Sequence, residues 1–252
     1  MALQIHNPHS VLAALQTRPQ DIHEIILPGG AQTQFAEGDA WSRVVELARQ
    51  KKVSINSANR GGGKPQRGKT DNDGRTSSAH ATLKDRQGVS LEELFQDAKG
   101  RTGGKGLWIA LDSLQDPHNV GAIFRAAGFF GVEGIIITAE RSAPLTSTVY
   151  DVSCGGVEHV PFTMQTNLQR AFEVAKDAGL WILGTSEHAK DNVSRITRDR
   201  PWLLVLGNEE KGMRRLTEES CDMLCKIPAA GKVTSLNVSV AAGILISSLS
   251  SK

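Results

Sequence analysis

Three short segments are polar where their surroundings call for core. The first, LDSLQDPHNVGAIFRAAGFFG, runs from Leu111 to Gly131 and carries Asp116, Pro117, His118 and Asn119 into a helix pattern, with Arg125 about one and two-thirds turns beyond Asn119. The second is LVLGNEEKGM, residues 204–213, a fully apolar run that breaks at Gly207 into Asn208, Glu209 and Glu210. The third is LCKIPAAGKVTSLNVSVAAGILISS, residues 224–248, in which Ser235, Asn237 and Ser239 open a long apolar stretch. Amides, carboxylates, hydroxyls and one guanidinium are groups that hold and orient a polar ligand. Each segment taken alone also has a plainer reading: a snorkelling surface arginine, an exposed turn, and local capping of backbone.

The elements that must position these groups follow from apolar periodicity. Strands are predicted at Leu107–Leu111, Gly134–Thr138, Leu180–Leu183, Trp202–Leu206 and Leu224–Ile227, and helices at Gly121–Phe130 and Asn167–Ala178. Strands apolar at consecutive positions are buried on both faces, which predicts a parallel sheet between two helical layers. Asp116 to Asn119 then lie at the carboxyl end of a strand, the ligand edge of an open parallel sheet. In the third segment Ser235 stands where a helix N-cap belongs, before the apolar run Leu236 to Leu249. That run is apolar around most of its circumference, so the helix is predicted to lie inside the domain.

The first third of the chain reads as a separate α/β unit. His9–Thr17 and Ala40–Gln50 have helical periodicity, Glu24–Leu27 and Val53–Ile55 read as strands, and their alternation favours parallel pairing. Residues 59–78 contain almost nothing apolar and cannot bury enough surface to order themselves. Within them Gly63–Thr70, GKPQRGKT, matches the phosphate-loop pattern letter for letter. A working phosphate loop needs an apolar strand before it and a helix after it, and this stretch has neither, so a nucleotide hydrolase is set aside. Arg60, Lys64, Arg67, Lys69 and Arg75 are better read as a solvated basic loop able to touch phosphates. Ser90–Glu93 is a capping box opening the helix Leu91–Ala98, and GRTGGKG after it has linker composition. The expected division is therefore 1–84, a linker 85–106 with a short helix, and 107–252.

The totals bound the function more loosely. A chain of 252 residues can bury two cores, and a formal net charge of +2 permits a nucleic-acid partner without requiring one. Cys154, Cys221 and Cys225 form no C-x-x-C pair and no zinc-finger spacing, so no disulfide framework and no metal are expected, and a reducing cytoplasm fits. No apolar run approaches the roughly 18 residues that span a bilayer, and no signal-peptide layout is read at the start, so a soluble, unprocessed protein is expected.

Taken jointly, N-x-G-x-x-x-R after a strand, L-G-N-E-x-x-G-M, and I-P-x-x-G-x-x-x-S-L-N-V-S-V-A closely resemble the three signature motifs of the SpoU (TrmH-like) RNA 2′-O-ribose methyltransferases. The opening IHNPHSVLAAL is similar to the start of the small L30e-like RNA-binding domain of the 23S ribosomal RNA guanosine group in that family. The resemblance implies an α/β fold: an N-terminal L30e-like domain and a parallel sheet whose C-terminal part forms a trefoil knot. It implies S-adenosylmethionine held mainly by backbone around Thr185, Gly207, Ile227 and Leu236, with Gly207 bare so that no side chain stands between strand end and cofactor. It implies Arg125 at the ribose 2′-hydroxyl, supported by Asn119, with Glu209, Ser235 and Asn237 shaping the site. It also implies a homodimer acting on RNA, ribosomal RNA ahead of transfer RNA, the alternative being an RNA-binding member that no longer turns over.

Methyl transfer from a sulfonium needs no metal, but it needs an oxygen aligned with the methyl and partly relieved of its proton. Arginine is an awkward base, since its ordinary pKa exceeds ~12. Two options stay open: a site that depresses that pKa, or a charged Arg125 that fixes phosphate and ribose while alignment does most of the work. The chain departs from the family pattern after Arg141 and Ser142, where Thr146, Val149, Tyr150 and Asp151 stand, and before His9, where Asn7 and Pro8 replace the usual Gly.

Overall fold

The structure is a computed structural model that describes residues 2–28, 35–36, 38–58, 79–140 and 142–250. Gly63–Thr70, the basic stretch around it and Arg141 lie outside the described residues. The chain forms two compact units, Met1–Asp85 and Arg86–Lys252.

In the first unit β1 (Ala2–Ile5), α1 (Pro8–Thr17), β2 (Ile22–Leu27), α2 (Ala40–Gln50), β3 (Ile55–Ser57) and β4 (His80–Lys84) follow in order. The sheet order is β1-β4-β2-β3. The expected parallel pairing holds for β2 with β3, but β4 runs antiparallel to both β1 and β2. Asn7 caps α1 by accepting the His9 N–H at 2.9 Å, and Asp39 caps α2 through Trp41 N–H at 2.8 Å.

The second unit continues with α3 (Leu91–Leu94), α4 (Ala98–Arg101), β5 (Leu107–Leu111), α5 (Pro117–Phe130), β6 (Gly134–Thr138), α6 (Ser147–Ser153), α7 (Gly156–His159) and β7 (Phe162–Gln165). After these come α8 (Gln169–Asp177), β8 (Trp181–Thr185), β9 (Asp191–Asn192), β10 (Trp202–Leu206), α9 (Arg215–Glu219), β11 (Met223–Lys226) and α10 (Val238–Ser250). Among the described residues the strands form one sheet in the order β7-β6-β5-β10-β8-β11-β9, parallel at every pairing. β5, β6 and β10 are buried at all five positions, as their uninterrupted apolar runs require. Trp108, Ala110, Ile136, Ile182, Leu203 and Val205 face a core completed by α3 and α8. The opposite layer is α5 packed with α6, α7 and α10, and α10 also reaches β5.

Two features differ from the sequence reading. The units divide between Asp85 and Arg86, because Leu91, Leu94 and Phe95 carry the stretch read as a linker into the second core, where Trp108 Nε1 donates to Leu94 O at 3.1 Å. The last helix is not enclosed. Ala242, Leu245, Ile246 and Leu249 are buried, but Val240 and Ile244 are 51% and 39% exposed.

The described residues contain no helix long and apolar enough to cross a membrane and no group of three or more His, Cys, Asp or Glu that could hold a metal ion.

Asp116 caps α5 through His118 N–H at 2.8 Å, and Pro117 fills the first turn, where its missing N–H costs nothing. The helix is pressed onto α6 at Gly121, where an added Cβ would lie 2.9 Å from Val149 O and 2.8 Å from Val152 Cβ. Gly121→Ala should therefore push α5 off its neighbour and cost about 1–3 kcal/mol, read as a lower urea midpoint with an unchanged slope.

Candidate active site

A cleft of about 200 Å³ opens at the carboxyl ends of β8, β10 and β11. Thr185, Gly207, Ile227 and Leu236, the four residues expected to hold the cofactor, all line it, together with Glu209 and Ser235. One wall is apolar, made by Leu206, Ile227, Leu236, Val238, Ala241 and Leu245. The Thr185 hydroxyl is turned away from ligand duty, since it donates to Val205 O at 2.9 Å. Cys225, fully buried, also borders the cleft, and burial pushes its thiol up to about 12, so no thiolate is on hand near neutral pH.

Beside the cleft the three polar segments join through side chains. The Glu209 carboxylate accepts from Asn119 Nδ2 at 3.2 Å and Asn208 Nδ2 at 3.1 Å, and takes longer contacts of 3.4 Å from the N–H groups of Gln115 and Asp116. Asn119 Oδ1 in turn accepts from Asn237 Nδ2 at 3.0 Å. Asn237 Oδ1 accepts from the Ser239 N–H at 2.8 Å and the Ser239 hydroxyl at 2.6 Å, which caps α10. The polarity of this chain is forced. A carboxylate only accepts and a backbone N–H only donates, so each amide between them has one possible orientation.

The cap is therefore Asn237 and not Ser235. α10 begins at Val238, two residues later than the sequence pattern placed it, and Ser235 is left in the exposed loop that lines the cleft. Asn237 and Ser239, read as either caps or ligand groups, are seen here as a cap and its partner.

The fold by itself already requires Gly207 to be bare. A Cβ there would lie 2.2 Å from Met213 N and 2.3 Å from Gly212 C, so it would strike the chain's own backbone. The turn between them is closed by paired bonds, Asn208 N to Gly212 O at 2.9 Å and Gly212 N to Asn208 O at 3.0 Å, with Gly212 at φ +66°. Asn208 Oδ1 also accepts from the N–H groups of Glu210 and Lys211, and its Nδ2 donates to Ser113 O at 2.8 Å.

Arg125 does not join this cluster. It is exposed on α5 and does not line the cleft, and its side chain makes no hydrogen bond or ion pair with the described residues. Two residues that the sequence reading passed over hold the site from behind. Asp112, fully buried directly after β5, accepts from Arg214 Nε at 2.7 Å and Arg214 N at 3.1 Å. The signal was present: an acid closing the apolar run LWIAL is costly to bury unless a partner waits for it.

Gly207→Ala should destabilise the ligand-free protein by about 1–3 kcal/mol in equilibrium unfolding, because the clash is internal. A variant as stable as wild type that fails only to bind ligand would contradict this geometry. Iodoacetamide at pH 8 should leave Cys225 unalkylated in the folded protein, as peptide mapping would show.

The SpoU rRNA Methylase family matches residues 106–247. The chain is 34% identical over 250 residues to the 23S rRNA (guanosine-2′-O-)-methyltransferase RlmB of Pseudomonas putida, covering 96% of this chain and 94% of that protein. It is 45% identical over 169 residues to the protein of the same name in Nitrosomonas europaea, covering 67% of this chain and 63% of the relative's length. Among solved structures, the SpoU methyltransferase AviRb from Streptomyces viridochromogenes has a TM-score of 0.76 at 19% identity, covering 99% of this chain and 88% of that one. The AdoMet-bound rRNA methyltransferase from Sinorhizobium meliloti has a TM-score of 0.72 at 20% identity, covering 98% and 86%. With the family's match extending over more than half of its length, through both sheet and cleft, the chain belongs to the SpoU rRNA methylase family.

Proposed function

We propose that the protein transfers the methyl group of S-adenosylmethionine to the 2′-hydroxyl of a guanosine ribose in ribosomal RNA. The observation that carries this reading is the convergence of the three segments beside one cleft, through Glu209, Asn119 and Asn237. Guanosine and ribosomal RNA come from the Pseudomonas putida relative, which aligns along nearly its whole length. The residues present fit the cofactor. The apolar wall suits an adenine and a thioether-linked chain, and the Glu209 carboxylate at the cleft edge suits a cation. Thr185, Gly207, Ile227 and Leu236 would hold it, and when bound it supplies an electrophilic methyl on a sulfonium.

Glu209 is the hub of the scaffold. Four donors approach its two oxygens, which fills the roughly four lone-pair sites of a carboxylate and leaves none facing an incoming hydroxyl. Asn119 is fixed at both ends of its amide, donating to Glu209 and accepting from Asn237. Arg125 is left to meet the RNA, since its donors are uncommitted and the helix that carries it is fixed through Asn119. Its part is to orient the ribose and adjacent phosphate so that the 2′-oxygen is in line with the methyl. Ser235, on the loop lining the cleft, bounds the same space.

The remaining parts of the reading concern the whole assembly. Met1–Asp85 is an L30e-like RNA-binding domain and Arg86–Lys252 a trefoil-knotted methyltransferase domain. Support for the knot is that β11 lies beyond β8 in the sheet, whereas the chain after it returns past the turn following β10 to pack on α5. Two copies pair through α10 and the loop before it. Val233, Leu236, Val240 and Ile244 expose apolar surface there, which a second copy would cover while bringing RNA-binding surface to Arg125. The working compartment is the cytoplasm, where ribosomal RNA is modified.

Arg125→Ala should lower transfer of labelled methyl to ribosomal RNA by about 100-fold or more without weakening cofactor binding in calorimetry. Arg125→Lys should recover little, and a lysine variant of near-normal rate would rule out a specific role for the guanidinium. Ile244→Glu should turn a dimer into a monomer in sedimentation.

A further inference from the structure

Asp112 and Arg214 form a device that the scaffold above does not use fully. A carboxylate with no exposure must be paired, and Asp112 is paired along one edge of Arg214: Oδ1 accepts from Nε at 2.7 Å and Oδ2 from the backbone N–H at 3.1 Å. The Ser113 hydroxyl donates to Oδ1 as well, at 3.3 Å. The Nε edge is thereby consumed. The two terminal amino groups, Nη1 and Nη2, have no partner among the described residues, and the Arg214 side chain is 39% exposed.

The fork stands at the same strand edge as Glu209. Asn208 ties the turn to Ser113 O at 2.8 Å, Arg214 ties its far end to Asp112, and Glu209 between them reaches Asn119. We propose that Arg214 reads the base of the nucleotide whose ribose is methylated, donating from Nη1 and Nη2 to O6 and N7 of guanine. This rests on the methyltransferase reading given above.

The chemistry favours a base edge over a phosphate. Phosphate attraction depends on net positive charge, and the buried Asp112 cancels that of Arg214. What Asp112 supplies is orientation, which turns a flexible guanidinium into a fixed planar pair of donors. Guanine offers two acceptors side by side on one edge, whereas adenine sets an amino donor beside N7 and would face a like group. In the single-stranded loops and bulges of folded RNA, bases are splayed out of the stack and their edges are open to side chains, so a target guanosine there can be read by such a fork.

The test uses the full chain and ribosomal RNA from cells lacking the gene. The methylated position is mapped, and two transcripts of that region are made, differing only by G or A there. Wild type should favour the G transcript by on the order of 10- to 100-fold in kcat/KM, and Arg214→Gln should remove most of that preference, mainly by slowing the G transcript. Calorimetry with S-adenosylhomocysteine should show unchanged affinity, which reports an intact cleft, and Arg214→Lys serves the comparison if the glutamine variant does not fold. Equal loss on both transcripts, with the salt dependence of RNA binding reduced by about one ion, would make Arg214 a phosphate contact and overturn the proposal. A preference unchanged in Arg214→Gln would overturn it too. If wild type methylates neither native RNA nor transcript, the methyltransferase reading itself fails and the proposal falls with it.

Discussion

The site depends on one directed run of hydrogen bonds, from the cap of α10 through Asn237 and Asn119 to the carboxylate of Glu209. Each of the three residues is delivered by a different element, and the chain separations of 90 and 118 residues are closed by the parallel sheet beneath. Because one terminus can only donate and the other can only accept, the two amides between them cannot flip without losing bonds at both ends. Three elements are therefore set against one another by polar contacts whose geometry has a single solution. Packing alone would not achieve this, since apolar contacts between helices tolerate small slides.

The turn after β10 is the second half of the same constraint. Backbone pairing between Asn208 and Gly212, and the contact at Gly207 that leaves no room for a Cβ, keep its two arms together. Asn208 answers its inner N–H groups, and the residues following β5 hold it from outside through Ser113 and Asp112. Such a turn presents Glu209 at a fixed place without using Glu209 to hold itself closed.

Much of this arrangement was legible in the chain because the physics is local. Runs such as WLLVL and GIIIT can only be strands covered on both faces, and the breaks that follow them mark the edge where polar residues gather. What escaped was decided by partners remote in sequence. Ser235 and Asn237 are both good caps two residues apart, and the choice between them turns on Asn119, which no local pattern reveals. Asp112 and Arg214 lie 102 residues apart, so neither announced the other. β1 and β4 are short and mixed in character, and only their pairing with each other and with β2 makes them strands. The apolar circumference of α10 showed that it must be covered but not by what, and Val240 and Ile244 remain open on this chain. For Gly207 the pattern identified the position but not the clash with the backbone of Gly212 and Met213, which lies outside any local pattern.

The firm closure of the 208–212 turn bears on the rhythm of turnover. A turn closed by its own backbone pairing and held from behind by the residues after β5 does not have to order when a small molecule arrives or melt when one leaves. Spent and fresh cofactor could then exchange across an unchanging surface, leaving any slow step to the larger partner that must be gripped, unstacked and let go.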